Sequence, residues 1–162
     1  MMTTSEFNKI VDYYSDNVYR FIFKNIRDKD KAKDIIQDTY EKLWRRVDDI
    51  AYDKAKSYLF TTAYHTMIDV IRRDKKLVRF DTINKSSFIE LNEFTGVKEI
   101  IDKAVQNLPE VQRSVVMLRD YEGYSYKEIS DITGLSEDQV KVYIYRARVY
   151  LKENLKSVDL II

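Results

Sequence analysis

The 162-residue sequence has no cysteine, one histidine, one proline and three glycines. The lack of cysteine excludes disulfides, thiolate zinc sites and cysteine nucleophiles. A single histidine is too few for a histidine-based metal site, so we expect neither a metal nor another cofactor. The scarcity of glycine and proline disfavours strand-and-turn architectures and favours long helices.

Long apolar runs and signal sequences are also missing. No stretch approaches the roughly 18 apolar residues of a membrane span. The N-terminal MMTTSEFNKI lacks the basic and apolar blocks of a signal peptide. We therefore expect a cytoplasmic protein without membrane insertion. Because 28 lysines and arginines nearly balance 27 acidic residues, any basic surface must be local.

Apolar residues at helical spacing dominate the first half of the chain. They predict three amphipathic helices, from about Ser5 to Asn25, Asp30 to Val47 and Lys54 to Asp74. Three such helices can close a small bundle around one core. The first predicted domain therefore covers residues 1–76.

The helical period fails from about Lys75 to Val97, a segment rich in turn-forming residues that ends in a glycine. We interpret residues 77–97 as a linker. Helices are predicted again over residues 98–106 and from Pro109 to Tyr121, with proline in the first turn, where its missing N–H costs little. The sequence thus predicts an all-α protein of two small helical domains, the second covering residues 98–162.

The C-terminal segment carries the clearest local signal. Ser125 and Glu128 form a capping box that begins a short helix, and Gly134 lies where a left-handed stop is needed. Ser136 and Gln139 form a second capping box, so a new helix begins immediately. Two helices joined through glycine in this way predict a helix-turn-helix.

The second of these helices has an apolar stripe and a polar face. The predicted core stripe consists of Val140, Ile144, Ala147, Leu151 and Leu155. In a DNA-binding helix-turn-helix, the N-terminal part of this helix reaches base edges in the major groove, and later cations hold phosphates. The predicted DNA-contacting residues are Gln139, Lys141, Val142, Tyr145, Arg146 and Arg148. The alternative is an ordinary bundle helix with a solvated basic face.

A second basic cluster, RRDKKLVR, lies at the end of the third predicted helix. Its cations are favoured there by the helix dipole, and they could equally contact phosphates. Upstream aromatic side chains interleave with cations, as stacking of single-stranded nucleic acid requires, although many of these aromatics are equally expected in the core. At least one of Tyr58 and Phe60 must be buried, because they project in different directions.

No pattern of catalytic residues is recognisable. His65 has no partner in a nucleophile-elbow context, and a lone helical histidine is more often a hydrogen-bonding residue than a catalytic one. The acidic segments lack EF-hand spacing, and there is no phosphate-binding glycine loop. We therefore expect a protein that is not an enzyme.

Two blocks of sequence resemble bacterial RNA polymerase sigma factors of the extracytoplasmic-function group. The blocks DKAKDIIQDTYEKLW and SYLFTTAYHTMIDVIRRDKK are similar to the family's core-binding helix and to its helix that recognises and opens the minus-ten element. The block from Leu108 to Leu151 is similar to the domain that reads the minus-thirty-five element and contacts the polymerase flap. The resemblance covers nearly the whole chain.

The resemblance implies partners and site residues. Core polymerase would be bound through the clamp of its largest subunit, by Asp34, Gln37 and Asp38, and through the flap of its second-largest subunit. The implied minus-ten contacts are Tyr64, His65, Arg72, Arg73, Lys75 and Lys76. Promoter DNA would be bound as duplex and as single strand, the segment RRVDDIAYDKAKS would capture a flipped base, and the linker would thread the RNA exit path. An anti-sigma factor is a further implied partner.

The sequence departs from the family pattern in two places. Tyr64 and His65 follow Ala63 where the family commonly has arginine and asparagine, and Ser130 replaces a usual alanine. Two other classes remain as alternatives to a sigma factor. A conventional helix-turn-helix regulator would normally dimerise and bind duplex DNA unaided. A helical adaptor that does not bind DNA would show no salt-dependent association with DNA or polymerase.

Overall fold

The computed structural model describes residues 2–81 and 96–159, and within these ranges the regular structure is entirely helical. The elements are α1 (Thr4–Ile26), α2 (Lys29–Arg45), a 3₁₀ turn (Tyr52–Lys54), α3 (Ala55–Asp81), α4 (Val97–Gln106), α5 (Glu110–Val116), a π-helical turn (Met117–Tyr121), α6 (Tyr126–Thr133) and α7 (Glu137–Asp159). The predicted all-α fold is confirmed.

Helices α1, α2 and α3 form the predicted N-terminal bundle. A capping box of Thr3 and Glu6 begins α1, and the Asp28 side chain accepts backbone hydrogen bonds at the start of α2. Fully buried side chains from all three helices, among them Phe21 of α1 and Leu43 of α2, fill the space between them. The bundle therefore rests on the apolar stripes that the sequence predicts.

Helix α3 is longer than the sequence predicts, because it ends at Asp81 and not near Asp74. The first five residues of the predicted linker 77–97 are thus helical, and α4 begins at Val97. Lysine and arginine near the end of α3 suit the negative end of the helix dipole, so helix can continue without an apolar stripe. Residues 82–95 of the predicted linker lie outside the described residues.

The second half contains α4 to α7 with one irregularity. The helix predicted from Pro109 to Tyr121 divides into α5 and a π turn, in which the Glu122 N–H bonds to the Met117 carbonyl at 3.1 Å. Both Met117 and Leu118 are buried there, and they continue a run of buried residues that begins at Arg113 of α5. Hydrophobic periodicity in the sequence does not reveal a π turn of this kind.

The two halves pack against each other along α1 and α3. Phe60 of α3 is fully buried and contacts the ring of Tyr124, which precedes α6, edge-on at 5.3 Å between centroids. The prediction that Tyr58 or Phe60 belongs to the core is confirmed by Phe60. An ion pair between Arg20 and Glu122, at 2.9 Å, also links the halves. The apolar core is continuous across both halves.

A buried polar network also joins the halves. Asn25 of α1 is 4% exposed, and its Oδ1 accepts from Nε of Arg113 at 3.0 Å and from Oγ of Ser114 at 3.3 Å. Its Nδ2 donates to the Phe21 carbonyl at 2.7 Å. The Arg113 guanidinium, which also donates to the Gln106 carbonyl at 3.2 Å, is itself buried. Burial removes water from the Arg113 guanidinium and thereby lowers its pKa. The hydrogen bond to Asn25 replaces part of the lost hydration of this cation.

Candidate nucleic-acid and polymerase interfaces

The helix-turn-helix is built as the two capping boxes predict. Ser125 and Glu128 exchange hydrogen bonds at the start of α6, and Ser136 and Gln139 do the same before α7. Gly134 ends α6 at φ +78°, in the left-handed region where a side chain would be strained. These local contacts fix the direction in which α7 leaves the turn.

Helix α7 presents one buried and one exposed stripe. Val140, Ile144 and Ala147 are at most 1% exposed, as predicted, whereas the side chain of Leu155 lies outside the described residues. On the opposite side Tyr145 is 70% exposed and Val142 44%. Exposed aromatic and aliphatic side chains beside cations on one helix face suit contacts with bases and phosphates of DNA.

Three of the predicted DNA-contacting residues of α7 are engaged within the protein. The Oε1 of Gln139 accepts from the Ser136 N–H at 3.0 Å, and Nζ of Lys141 lies 5.7 Å from the centre of the Tyr126 ring. The third residue, Arg148, pairs with Asp120.

Arg148 donates to both carboxylate oxygens of Asp120, at 2.6 and 3.3 Å, and this hydrogen bonding raises the pKa of the Arg148 guanidinium. Arg146 is exposed and makes no ion pair with the residues that the structure describes. Within those residues Arg146 is therefore the more available arginine of the face, and Arg148, partly neutralised by Asp120, would serve phosphates less well.

Helix α3 divides the predicted minus-ten residues among different faces. His65 is exposed, but Tyr64 is only 6% exposed and belongs to the core, because it lies one residue round the helix from His65. Arg72 is two turns beyond His65, and Lys76 follows one turn later, so these three exposed residues share one face.

Arg73 and Lys75 flank this face and point elsewhere. Arg73 lines a groove with Asp34 and Asp38 of α2. Nζ of Lys75 lies 3.3 Å from a carboxylate oxygen of Glu110, at the start of α5. The six predicted residues therefore do not form one patch, which a cluster of cations in the sequence could not reveal.

A cavity of 560 Å³ lies at the end of the loop between α2 and α3, on the same side of α3 as His65. Its lining includes Ile50 and Asp53 from the loop, and Tyr58 and Thr61 from α3. Thr61 is not among the site residues predicted from the sequence. Helical projection could have found it, because Thr61 lies one turn before His65.

The acidic face of α2 carries the three predicted polymerase-contacting residues. Asp34 and Gln37 are exposed. Asp38 is half exposed and pairs with Lys42 at 3.3 Å, and Nζ of Lys42 also donates to Oγ1 of Thr66 at 3.0 Å, which ties α2 to α3. The structure thus brings Asp34, Gln37 and Asp38 together on one solvent-facing surface.

Neither a metal site nor a membrane span is found in the described part of the chain. No cluster of three or more histidine or acidic side chains within 2–81 and 96–159 is arranged to hold a metal ion. None of the helices in these ranges is long and apolar enough to cross a bilayer.

Each half of the chain matches the model of a known protein family. The family model for sigma-70 region 2 matches residues 10–77, and the model for sigma-70 region 4 matches residues 98–151. The chain is 30% identical over 150 residues to the ECF RNA polymerase sigma factor SigM of Bacillus subtilis, covering 90% of this chain and 92% of the relative. The chain belongs to the ECF sigma factors.

Other members of this family are similar over comparable lengths. The RNA polymerase sigma factor YlaC of Bacillus subtilis is 28% identical, over 88% of this chain and 87% of its own. Among solved structures, the sigma factor RpoE of Bartonella quintana, crystallised with the anti-sigma factor NepR, superposes with a TM-score of 0.78 at 25% identity, covering 94% of this chain and 98% of that one. CnrH in complex with the cytosolic domain of CnrY has the same fold, with a TM-score of 0.68.

Membership in the ECF sigma factor family decides among the three functions considered from the sequence: sigma factor, conventional regulator and helical adaptor. ECF sigma factors are transcription initiation factors, and this chain is an alternative sigma factor that directs transcription initiation. A conventional helix-turn-helix regulator and a helical adaptor are not favoured, because region 2 and region 4 occur together and in order.

Proposed function

We propose that this ECF sigma factor binds core RNA polymerase through α2, reads duplex minus-thirty-five DNA with α7, and holds one minus-ten strand against α3. The observation that carries the proposal is the exposed face of α7, with Tyr145 70% exposed on a helix-turn-helix closed by two capping boxes. In a DNA-binding helix-turn-helix this face of the second helix is the one that enters the major groove.

Within the minus-thirty-five surface, Arg146 is the residue best placed to read a base. It is exposed and unpaired within the described residues, and arginine binds the O6 and N7 of guanine through two parallel hydrogen bonds. Val142 and Tyr145 flank it and would contact thymine methyl groups and sugars. Lys141 and Arg148 contribute positive charge toward phosphates, and Gln139 serves chiefly as the cap of α7.

The minus-ten surface consists of His65, Arg72 and Lys76 on one face of α3, together with the cavity beside the loop. Opening a duplex costs a few kcal/mol per unstacked base, and capture of a base in a pocket offsets that cost. Tyr64 supports this face from the core. Lys75 is exposed, and its ion pair with Glu110 competes only weakly with a phosphate contact.

Core polymerase is the proposed partner of the acidic α2 surface formed by Asp34, Gln37 and Asp38, through the clamp of the largest subunit. The second domain would contact the flap of the second-largest subunit. A cytoplasmic location follows from this function, because promoter DNA and polymerase are found there in bacteria. An anti-sigma factor is proposed as a regulator, in line with the complex of the similar RpoE with the anti-sigma factor NepR.

Replacing Asp34 with arginine tests the proposed clamp contact. Asp34 is exposed and makes no ion pair within the described ranges, so charge reversal should leave the fold intact. We expect affinity for core polymerase, measured by competition against a labelled wild-type chain, to fall about tenfold, because a like charge replaces an opposite one at the contact.

The matched control is Asp16→Arg, which reverses an exposed carboxylate on α1. It should bind core polymerase within about twofold of the wild type, since it lies outside the proposed surface. If Asp34→Arg and the wild type bound core polymerase with equal affinity, the proposed polymerase contact through α2 would be refuted.

A further inference from the structure

A large cavity in the N-terminal bundle has no role in the interfaces above. It measures 660 Å³ and lies between the start of α1 and the 3₁₀ turn before α3. Three tyrosines line it, Tyr13 and Tyr14 from α1 and Tyr52 from the turn. Because Lys56 of α3 also belongs to the lining, three elements of the bundle build the cavity.

The aromatic rings of this cavity are presented to solvent. Tyr13 is 75% exposed and Tyr52 47%, so neither ring is held by the core. Tyr13 meets Tyr14 edge-on, with ring centroids 4.8 Å apart, while the buried Ile10 is also part of the lining. An exposed ring face beside a fixed second ring can stack on a flat ligand.

The charged groups of the cavity are two cations and two anions. Lys9 and Lys56 would attract the phosphates of a polynucleotide, and Asp12 and Asp53 would accept hydrogen bonds from the amino groups of a base. With no net charge, the lining suits a neutral base attached to a charged backbone better than it suits a free anion. The chemistry fits a nucleobase of single-stranded DNA.

The position of the cavity continues the proposed path of the minus-ten strand. Asp53 lines both this cavity and the 560 Å³ cavity beside the loop. Nζ of Lys56 lies 5.8 Å from the centre of the Tyr14 ring and 4.7 Å from the centre of the Tyr124 ring. A strand whose base enters the loop cavity can thus pass the 3₁₀ turn and place another base on Tyr13.

We propose that Tyr13, Tyr14 and Tyr52 form a second subsite for an unstacked base of the same promoter strand. The inference rests on the proposed function, because it requires a strand held at the loop. Stacking on Tyr13 and Tyr52 stabilises the open strand at a position distinct from the base captured beside the loop. The subsite lowers the cost of opening the promoter by binding a base that is already unpaired.

The test uses holoenzyme reconstituted from the full chain and core polymerase, with fork-junction promoter probes whose exposed strand carries one abasic site at a time. For the wild type, two separate positions should each weaken binding about tenfold when abasic, one for each cavity. With Tyr13→Ala, the abasic penalty should fall below about twofold at one of these positions and remain about tenfold at the other. Tyr13→Phe, which keeps the ring, should behave as the wild type.

The outcomes separate this inference from the function on which it rests. If wild-type holoenzyme binds the probes but Tyr13→Ala shows the wild-type penalty at every position, the subsite is refuted and the proposed function stands. If Tyr13→Ala instead loses affinity for core polymerase, the cavity is a protein-docking site and the inference fails. If wild-type holoenzyme binds no probe, both proposals fail.

Discussion

Replacing Arg146 with alanine is expected to reduce transcription from the cognate promoter by about 10- to 100-fold, because one bidentate arginine–guanine contact is lost. Affinity for core polymerase should stay unchanged, since Arg146 lies on the exposed face of α7. The measurement compares initiation on a promoter selected from a library by the wild-type holoenzyme with co-elution of the variant and core polymerase. Equal loss of both activities would count against a DNA-reading role.

The variant Arg146→Lys distinguishes base reading from phosphate binding. Lysine keeps the charge and would preserve a phosphate contact, but it lacks the planar fork that matches guanine. We expect Arg146→Lys to be impaired nearly as much as Arg146→Ala and to tolerate changes at one promoter position. Near-wild-type activity with unchanged sequence preference would reassign Arg146 to the backbone.

Replacing Asn25 with alanine is expected to lower the free energy of unfolding by about 3 kcal/mol. The change removes the acceptor at 3.0 Å from Nε of Arg113, and leaves a buried guanidinium facing a void. The free energy of unfolding is measured by urea denaturation. Small-angle scattering of the same variant should show a larger radius of gyration, because the network joins the two halves of the chain.

Asn107→Ala is the matched control for this substitution. Asn107 lies exposed after α4, so its loss should change the free energy of unfolding by less than about 0.5 kcal/mol. If Asn25→Ala matched this control in both stability and radius of gyration, the buried network would not hold the halves together.

Local signals in the sequence predict the helix-turn-helix in detail. Both capping boxes and the stop at Gly134 depend on contacts between residues three to five apart, and the buried positions Val140 and Ile144 follow from helical spacing. Both partners of each such contact lie in the same short stretch of sequence, so the contact can be predicted from that stretch. The buried and exposed faces of α7 therefore follow from the sequence alone.

Long-range contacts explain what the sequence could not predict. Tyr64 and Lys75 are in segments where cations and aromatics alternate, and only tertiary contacts decide that Tyr64 is buried and that Lys75 pairs with Glu110. Asn25 and Arg113 are 88 residues apart, so nothing local links them. The π turn after α5 likewise depends on what Met117 and Leu118 pack against.

The packing of the two halves also bears on promoter binding. Glu110 pairs with Lys75, and Asp131 of α6 is part of the lining of the loop cavity, so the second half borders the proposed minus-ten surface. In the Asn25→Ala variant the packing of the halves is weakened, but the proposed minus-ten residues are unchanged. A change in promoter opening by this variant would therefore reflect access of the strand to α3 and not the strength of its contacts there.

Reconstitution with core RNA polymerase tests the central claim most directly. The purified chain is mixed with core polymerase, followed through size-exclusion chromatography, and then assayed for transcripts on a promoter library. The proposed function predicts co-elution and transcripts that depend on a shared promoter sequence at two spaced elements. Absence of core binding together with tight binding of duplex DNA by the chain alone would contradict it.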